Sequence, residues 1–348
     1  MYNVNIYKHA DRERLNMGIT IKELAEISGY SASTISRVIA NKGNVKEETR
    51  KEIEKLIIEQ NYRTNVMDLR SSEQNLHIIM IVIGELENVY YLDLIQVIKR
   101  ELKEQGYTVM IAYTDNSEEE EMNYIKMAAR SRFGGTIFIN VRGGNELAQL
   151  LTESELPVVF LNRGIRFADF DTVINDNYQG GYMITDYLIQ RGHRKIGHLM
   201  GHTYSSTAQE RRRGYEDAMR DAKLPVTNNN VYIGKLNYES GYDYGEYLVK
   251  RGLDYTAVFC SNDMMALGLW RSLEASGLKV PDDISIASYD STMYAQSAGL
   301  TTISAPSERL AKKGVQMLRA RINGDRIDGG TVVLRPQIIE RISVKSIK

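Results

Sequence analysis

Cysteine is almost absent from this chain, whose 348 residues contain only Cys260. A single thiol cannot form an internal disulfide, which excludes a disulfide-stapled secreted fold and suits a reducing compartment. Charged side chains stand near the N-terminus where a secretory signal needs an apolar run, and the apolar run 78–83 is far shorter than the ~20 residues that span a bilayer. These absences predict a soluble cytoplasmic protein.

The chain also lacks a global excess of charge, because its formal net charge is −1. The overall charge therefore gives no indication that the protein binds nucleic acid. At 43% hydrophobic and 26% charged residues, the composition is typical of folded globular protein, and the length predicts two or three domains.

Sequence patterns of common enzymes are missing as well. The chain contains no G-x-S-x-G, H-E-x-x-H, Walker or G-x-G-x-x-G pattern. His193, His198 and His202 are spread across a predicted strand and do not lie on one helix face. The four glutamates 118–121 are expected to form a solvated first turn of a helix. We therefore expect no catalytic activity, no metal site and no cofactor.

Residues 19–64 are predicted to form three short helices with a tight turn after the first. Thr20 and Glu23 make a capping-box pattern, Gly29 can take positive φ in the turn, and Ser31 can cap the second helix. Arg37 lies among small side chains on the polar side of that helix, where it can contact a guanine or a phosphate.

The local charge of this segment leaves two interpretations open. Between residues 18 and 64 there are eight Lys or Arg against seven Asp or Glu, so a single copy should bind phosphates poorly. Either two copies act together on DNA, or the segment is a three-helix bundle with no ligand.

The order of residues in this segment is T-I-K-x-L-A-x-x-x-G-x-S-x-S-T-I-S-R-V-I-x-N, then V-x-E-E-T-R, then N-Y-R-x-N. It closely resembles the helix-turn-helix headpiece of the lac-repressor/GalR family of transcriptional regulators. The resemblance implies sequence-specific binding to an approximately palindromic operator in double-stranded DNA. The DNA contacts that it implies are Thr20, Ser31, Ala32, Ser33, Thr34, Ser36, Arg37, Asn44, Tyr62, Asn65 and Leu69.

Members of that family have a short hinge helix after the headpiece, from which a leucine wedges into the minor groove. Its usual pattern is N-x-x-A-x-x-L-R, whereas in the segment 65–77 of this chain Leu69 and Arg70 come two residues early. Two residues rotate a helix by about 200°, so Leu69 faces elsewhere unless the helix shifts. Asp68 also places a negative charge near the phosphates. Two interpretations of this segment remain: a hinge helix with Leu69 as the wedge, or a plain linker.

Strands and helices alternate in two similar series from Ile78 onward. Such alternation predicts two lobes, each built on a doubly wound parallel sheet, with a cleft at the carboxyl ends of the strands where ligands bind. The predicted strands are 78–84, 108–114, 134–140 and 157–162 in the first series, and 195–201, 231–236, 257–263 and 285–290 in the second.

This larger part also resembles the lac-repressor family and, through it, periplasmic sugar-binding proteins. Matching stretches include N-x-Y-Y (88–91), LIQRGHRKIG (188–197), ERRRGY (210–215) and AVFCSNDMMALG (257–268). The resemblance implies a homodimer and a small effector, expected to be a sugar, bound between the lobes. The effector contacts that it implies are Tyr90, Tyr91, Asn140, Asn162, Arg163, Arg211, Asn262 and Asp290, with Leu236 standing where the family has an aromatic platform.

Several of these residues have a simpler alternative role. Asn262 or Asp263 can cap the helix that follows, and Tyr90 and Tyr91 can belong to the core. Arg212 and Arg213 are expected on a solvated basic face beside Arg211.

The predicted organisation is an N-terminal extension (1–18), a helix-turn-helix domain (19–64), a hinge (65–77) and an effector-binding and dimerisation domain (78–348). In the last, the N-lobe comprises about 78–175 with part of 305–348, and the C-lobe about 176–304. Met17 is an alternative start. The predicted function is an effector-controlled repressor of carbohydrate uptake or catabolism genes; the alternative is a solute-binding protein without a DNA function.

Overall fold

The computed structural model describes residues 21–39, 45–59, 76–164, 170–325 and 330–347. The chain divides into two compact units, residues 1–75 and residues 76–348.

The described part of the smaller unit consists of helices around a small apolar core. Leu24, Ile35, Val38 and Ile53 are buried at its centre. The tight turn expected after the first helix is present, because Gly29 has φ +72° and its N–H donates to the carbonyl of Ala25 at 3.0 Å. The helices are α1 (Ile21–Ser28), α2 (Ala32–Ile39) and α3 (Glu47–Glu59).

The first half of the larger unit alternates strands with helices, as predicted. The first helix of this half begins where the Asn88 side chain accepts the N–H of Tyr90 at 3.0 Å. The elements are β1 (Leu76–Ile83), α4 (Val89–Glu104), β2 (Thr108–Tyr113), α5 (Glu118–Arg130), β3 (Phe133–Ile139), α6 (Asn145–Ser154), β4 (Val158–Leu161) and β5 (Asp171–Asn175). Helix α6 and strand β5 were not predicted from the sequence.

The second half continues the alternation. Its elements are α7 (Asn177–Gln190), β6 (Ile196–Met200), α8 (Ser206–Asp221), β7 (Val231–Ile233), α9 (Tyr238–Arg251), β8 (Ala257–Cys260), α10 (Asp263–Ala275), β9 (Ser285–Asp290), α11 (Met293–Ala298) and β10 (Thr301–Ser304). The chain ends with α12 (Ser307–Ile322), β11 (Thr331–Leu334) and β12 (Gln337–Ile339). The elements after Asp290 were not predicted individually.

Two six-stranded sheets define two lobes. The first has the order β11-β5-β4-β3-β1-β2 with parallel pairs, and the second has the order β12-β10-β9-β8-β6-β7 with only the β12–β10 pair antiparallel. The chain therefore passes between the lobes three times: after β5, after β10 and after β11. The carboxyl ends of β1, β3, β4, β8 and β9 carry the polar residues that were expected to bind a ligand.

Candidate functional site

The start of α2 has the cap that the sequence predicts. The N–H of Thr34 donates to Ser31 Oγ at 3.1 Å, which satisfies one of the free donors of the first turn. Ile35 and Val38 point into the core, so the other side of the helix faces outward.

The outward side of α2 bears small and polar side chains around one guanidinium group. Ser31, Ala32, Ser33 and Arg37 are exposed, and Thr34 and Ser36 are half-buried. Small neighbours allow a helix to come close to a surface, and an exposed arginine is a bidentate donor to a guanine edge or a phosphate. Five expected contacts lie outside the described residues: Thr20, Asn44, Tyr62, Asn65 and Leu69, as does the predicted hinge up to Asn75.

Between the two lobes, Asp290 and Arg211 form a buried ion pair. Asp290 Oδ1 is 3.5 Å from an Arg211 Nη atom, and Asn88 Nδ2 from the other lobe donates to Asp290 Oδ2 at 3.3 Å. Burial raises the pKa of Asp290 to about 7, although Arg211 acts in the opposite direction. The carboxylate therefore has a protonation state that is sensitive to what lies beside it.

Arg211 is held on several sides. Its Nε donates to Asn177 Oδ1 at 2.9 Å, another N–H donates to the carbonyl of Ser261, and the guanidinium carbon lies 3.5 Å from the centre of the Tyr289 ring. Only 6% of the residue is exposed. Its neighbours differ, since Arg212 pairs with Glu216 at 2.6 Å, and Arg213 pairs with Glu210 at 2.8 Å, in more exposed positions on the same helix.

The aromatic pair Tyr90–Tyr91 combines both roles considered from the sequence. The rings are buried and meet edge to face, with centroids 5.7 Å apart. The hydroxyls accept hydrogen bonds from Asn175 at 3.1 Å and from Asn162 at 3.2 Å, so the rings belong to the core while the hydroxyls belong to the polar region between the lobes.

Asn140 and Arg163 meet at the ends of β3 and β4. Arg163 Nη2 donates to Asn140 Oδ1 at 2.7 Å, while its Nε is buried without a hydrogen-bond partner among the described residues. A buried donor without a partner costs free energy, so a ligand that accepts from it gains affinity.

The structure gives Asn262 the capping role. Its side chain accepts the N–H of Met265 at 2.9 Å and donates to the carbonyl of Leu236 at 2.7 Å, and the residue is fully buried. Both polar atoms of the amide are thus occupied by the protein in this conformation. Leu236 has φ +63° and presents its carbonyl to this amide.

Asp263 does not cap the helix that it begins. It accepts hydrogen bonds from Ser288 at 2.6 Å, Thr302 at 2.9 Å, and both the N–H and hydroxyl of Thr292 at 2.7 and 2.9 Å. The carboxylate therefore joins the loop after β9 to strands of the second sheet.

Glu121 departs from the expected solvated turn at the start of α5. It is fully buried, and its two oxygens accept the N–H groups of Arg142 at 2.9 Å and Gly143 at 2.8 Å. Burial raises the pKa of Glu121 and these two hydrogen bonds oppose the rise. Sequence reasoning missed this role because nothing distinguishes Glu121 from the three glutamates before it. It also missed Asn88, although that residue opens the N-x-Y-Y stretch that matches the family.

Among the described residues, two cavities lie along the boundary of the lobes. The larger, of about 630 Å³, is lined from the first lobe by Arg142, Arg163 and their neighbours and from the second by Tyr204, Ser206 and Gln209. The smaller, of about 290 Å³, includes Tyr90, Asp290 and residues 304–309 of the β10–α12 connection. Both are large enough for small organic ligands.

Neither a metal cluster nor a membrane helix is found within the described ranges. His198 is buried between aromatic rings, with its Nδ1 3.0 Å from the carbonyl oxygen of Phe259 and its pKa lowered by burial to about 3. No described helix is long and apolar enough to cross a bilayer.

A headpiece with an outward-facing arginine helix and a two-lobed α/β unit define a regulator that combines a DNA-binding part with a ligand-binding part. Family comparisons agree: residues 20–65 match bacterial regulatory proteins of the lacI family, and residues 76–328 match periplasmic binding proteins and the sugar-binding domain of the LacI family. The chain belongs to the LacI family and is a DNA-binding transcriptional repressor of that family.

Individual proteins extend this result. The HTH-type transcriptional repressor PurR of Vibrio campbellii (strain ATCC BAA-1116) is 32% identical over 94% of this chain and 99% of its own length. A complex of the transcriptional regulator CelR with cellobiose is 27% identical, with a TM-score of 0.71 over 93% of this chain and 99% of that one. The lac repressor dimer bound to operator and the anti-inducer ONPF shares the fold at 24% identity, with a TM-score of 0.70 over 94% of this chain and all of that one.

Proposed function

We propose that this repressor binds its operator as a homodimer in the bacterial cytoplasm and that a small polar ligand, of the sugar class, bound between the lobes controls its operator affinity. The observation that carries the proposal is the polar region that joins the lobes, centred on the buried Arg211–Asp290 pair with its bond to Asn88. Residues 19–64 are the DNA-binding part, residues 65–77 the hinge, and residues 78–348 the effector-binding and dimerisation part.

Operator contact is assigned to the outward face of α2, with Arg37 as its central donor. Dimerisation compensates for the weak local charge of the headpiece. Two copies double the number of phosphate contacts, and the electrostatic part of the DNA affinity grows with that number. We assign no reaction to the chain; the target genes are proposed to serve carbohydrate uptake or catabolism.

The chemistry of the larger cavity favours a polyhydroxyl ligand. Its described lining offers arginine, asparagine, glutamine, serine, Glu118 and backbone groups, and Tyr204 is the one aromatic residue among the described residues that line it. That ring already stacks on His202 at 4.7 Å and carries the Arg142 guanidinium at 4.5 Å. A flat base needs a free aromatic face more than a sugar does, and the CelR structure with cellobiose gives a sugar precedent on this fold.

A purine is the second candidate. It is favoured by relatives named PurR repressors, which are 30–32% identical to this chain over nearly their whole length. Tyr90, at the smaller cavity, is the aromatic residue that such a base would approach.

Control of DNA affinity follows if the ligand binds one arrangement of the lobes better than another. A ligand whose polar groups reach Asp290, which lines the smaller cavity, replaces some of the bonds that now run from Asn88 to Asp290 and from Asp290 to Arg211. The three connections between the lobes are the elements that such a change would bend.

The test measures operator affinity by fluorescence anisotropy, with and without each compound of a panel of free sugars and purine bases first screened by thermal shift. Arg211→Ala should retain operator binding and lose the ligand response, because the side chain pairs with Asp290, the carboxylate that Asn88 of the other lobe also contacts. Arg213→Ala, on the exposed part of the same helix, is the matched control and should retain both. An operator complex that no stabilising ligand changes would contradict the sensing part of the proposal.

A further inference from the structure

Two arginines line the larger cavity without a carboxylate at ion-pair distance among the described residues, although the charges of Glu85 and Glu121 act on Arg163. Arg142 follows β3 and Arg163 follows β4, and neither guanidinium forms an ion pair with any carboxylate of the described ranges. Arg163 is half-buried and Arg142 is exposed, so both guanidinium groups remain available to an anion that enters the cavity.

Arg163 is positioned by a neutral partner. Asn140 Oδ1 accepts from one Nη atom at 2.7 Å, which fixes the plane of the guanidinium without offsetting its charge. The buried Nε has no acceptor among the described residues. An anion with several oxygens supplies what this side chain lacks, and phosphate matches the fork of donors on arginine.

Arg142 is positioned through its backbone. Its N–H and that of Gly143 bind the buried carboxylate of Glu121, whose two oxygens are thereby used on the loop and not on the guanidinium. The guanidinium lies over Tyr204 of the other lobe, a contact that orients the cation but leaves its charge unpaired.

The loop that contains Arg142 and Gly143 leads into helix α6, whose first residue also lines the cavity. Residues 143–145 line the cavity, and Gly144 precedes the helix without a side-chain hydrogen bond to the first turn. The N–H groups of a first turn attract negative charge. Glu118 also lines the cavity, so the described lining residues contribute two positive charges and one negative charge.

We infer that the ligand of this cavity is a phosphomonoester, whose phosphate binds Arg163, Arg142 and the start of α6 while its organic part extends toward Ser206 and Gln209. The inference rests on the proposed control of operator affinity from the cleft and names the chemical class of the effector. Its source is either a sugar phosphate or a nucleotide, which share the same phosphate chemistry.

The test uses the full chain and matched pairs of probes: glucose 6-phosphate with glucose, fructose 6-phosphate with fructose, and AMP with adenosine. Titration calorimetry gives each affinity, and inorganic phosphate serves as a competitor. At least one phosphomonoester should bind about tenfold more tightly than its unphosphorylated partner, which is the scale of one charge-assisted contact. The pair that shows the difference identifies the source.

Variants locate the phosphate. Arg163→Gln should reduce the ratio of phosphorylated to unphosphorylated affinity about tenfold, and Arg142→Gln, at an exposed position where folding is not at risk, should reduce it in the same direction. Arg130→Gln is the charge-matched control, because it lies at the far end of α5, about 18 Å from the cavity end of that helix. Equal affinities within every pair, no binding of any phosphomonoester or of phosphate, or an unchanged ratio in both cavity variants would overturn the inference.

Operator binding in the same samples separates this inference from the proposed function. If a free sugar or base changes operator affinity while no phosphomonoester binds, the proposed function is supported and the inference of a phosphorylated ligand is contradicted. Arginine-dependent binding of a phosphomonoester without any effect on operator affinity would do the reverse.

Discussion

Arg37 in the headpiece and Arg211 in the larger unit are the same type of side chain in opposite environments. Arg37 is exposed on α2, among small side chains. Arg211 is buried, 3.5 Å from Asp290 and bonded to Asn177 and Ser261. The Arg37 guanidinium is therefore available to bind DNA from solvent, whereas the Arg211 guanidinium is already bonded to groups of the protein.

This difference implies two kinds of recognition. DNA desolvates Arg37 only on binding, so substitutions on that surface should change affinity and leave folding alone. A ligand in the cleft meets groups that already bind one another across the lobes, so it must replace internal bonds, and binding is thereby coupled to the arrangement of the lobes. The exposed site is suited to reversible DNA binding, and the buried site is suited to coupling ligand binding to a conformational change.

The largest effect that tests this comparison is on the stability of the buried network. Asp263→Ala removes the acceptor shared by Ser288, Thr292 and Thr302, and leaves their donors unpaired inside the protein. We expect a loss of about 3 kcal/mol in the free energy of unfolding, measured by urea denaturation. Asp243→Ala, an exposed substitution on α9, should change it by less than about 0.5 kcal/mol. Equal losses in the two variants would mean that buried and exposed polar groups do not differ here in the way described.

Sequence reasoning predicted the strand–helix alternation well because the strands buried on both faces are continuous apolar runs. Strand β9 was predicted with the bounds that the structure has. Strand β5 was missed, since its five residues include Asp171 and Asn175, and Asp171 is buried only because Arg321, 150 residues later, pairs with it at 2.6 Å. A partner so distant in the chain leaves no local signal.

The candidate site shows the same limit. Polar residues at strand ends were identifiable because ligands of such sheets bind there, and most of them meet between the lobes. What could not be predicted is which atoms the protein uses itself. Asn262 is occupied by its own helix and by Leu236, whereas Arg163 keeps a buried donor without a partner. That distinction depends on side-chain geometry and not on residue type.

A smaller effect concerns the exposed arginine of the comparison. Arg37→Ala should lower specific operator affinity about 10- to 100-fold, the value of one bidentate base contact, while the unfolding midpoint and ligand binding stay unchanged. Competition with non-specific DNA separates base recognition from charge, because loss of a phosphate contact alone weakens both complexes equally. Lys51→Ala, another exposed cation of the headpiece, is the control and should weaken both to a similar, smaller extent. Retained specific binding in Arg37→Ala would remove the recognition role of α2.

The smallest effect concerns the cap that holds α2 in place. Ser31→Ala removes the acceptor of the Thr34 N–H, which is worth about 1 kcal/mol at a helix start, so hydrogen exchange of the α2 amides should accelerate about fivefold in the full chain. Ser33→Ala is the matched control, since that exposed hydroxyl contacts Ser31 Oγ at 2.8 Å but caps no N–H, so its loss leaves the acceptor of the Thr34 N–H in place. A headpiece that stays mostly folded should lose little operator affinity from this change. An operator loss as large as that of Arg37→Ala, without faster exchange, would instead place the Ser31 hydroxyl directly on the DNA, and the exposed site would then rely on more than one side chain for its specificity.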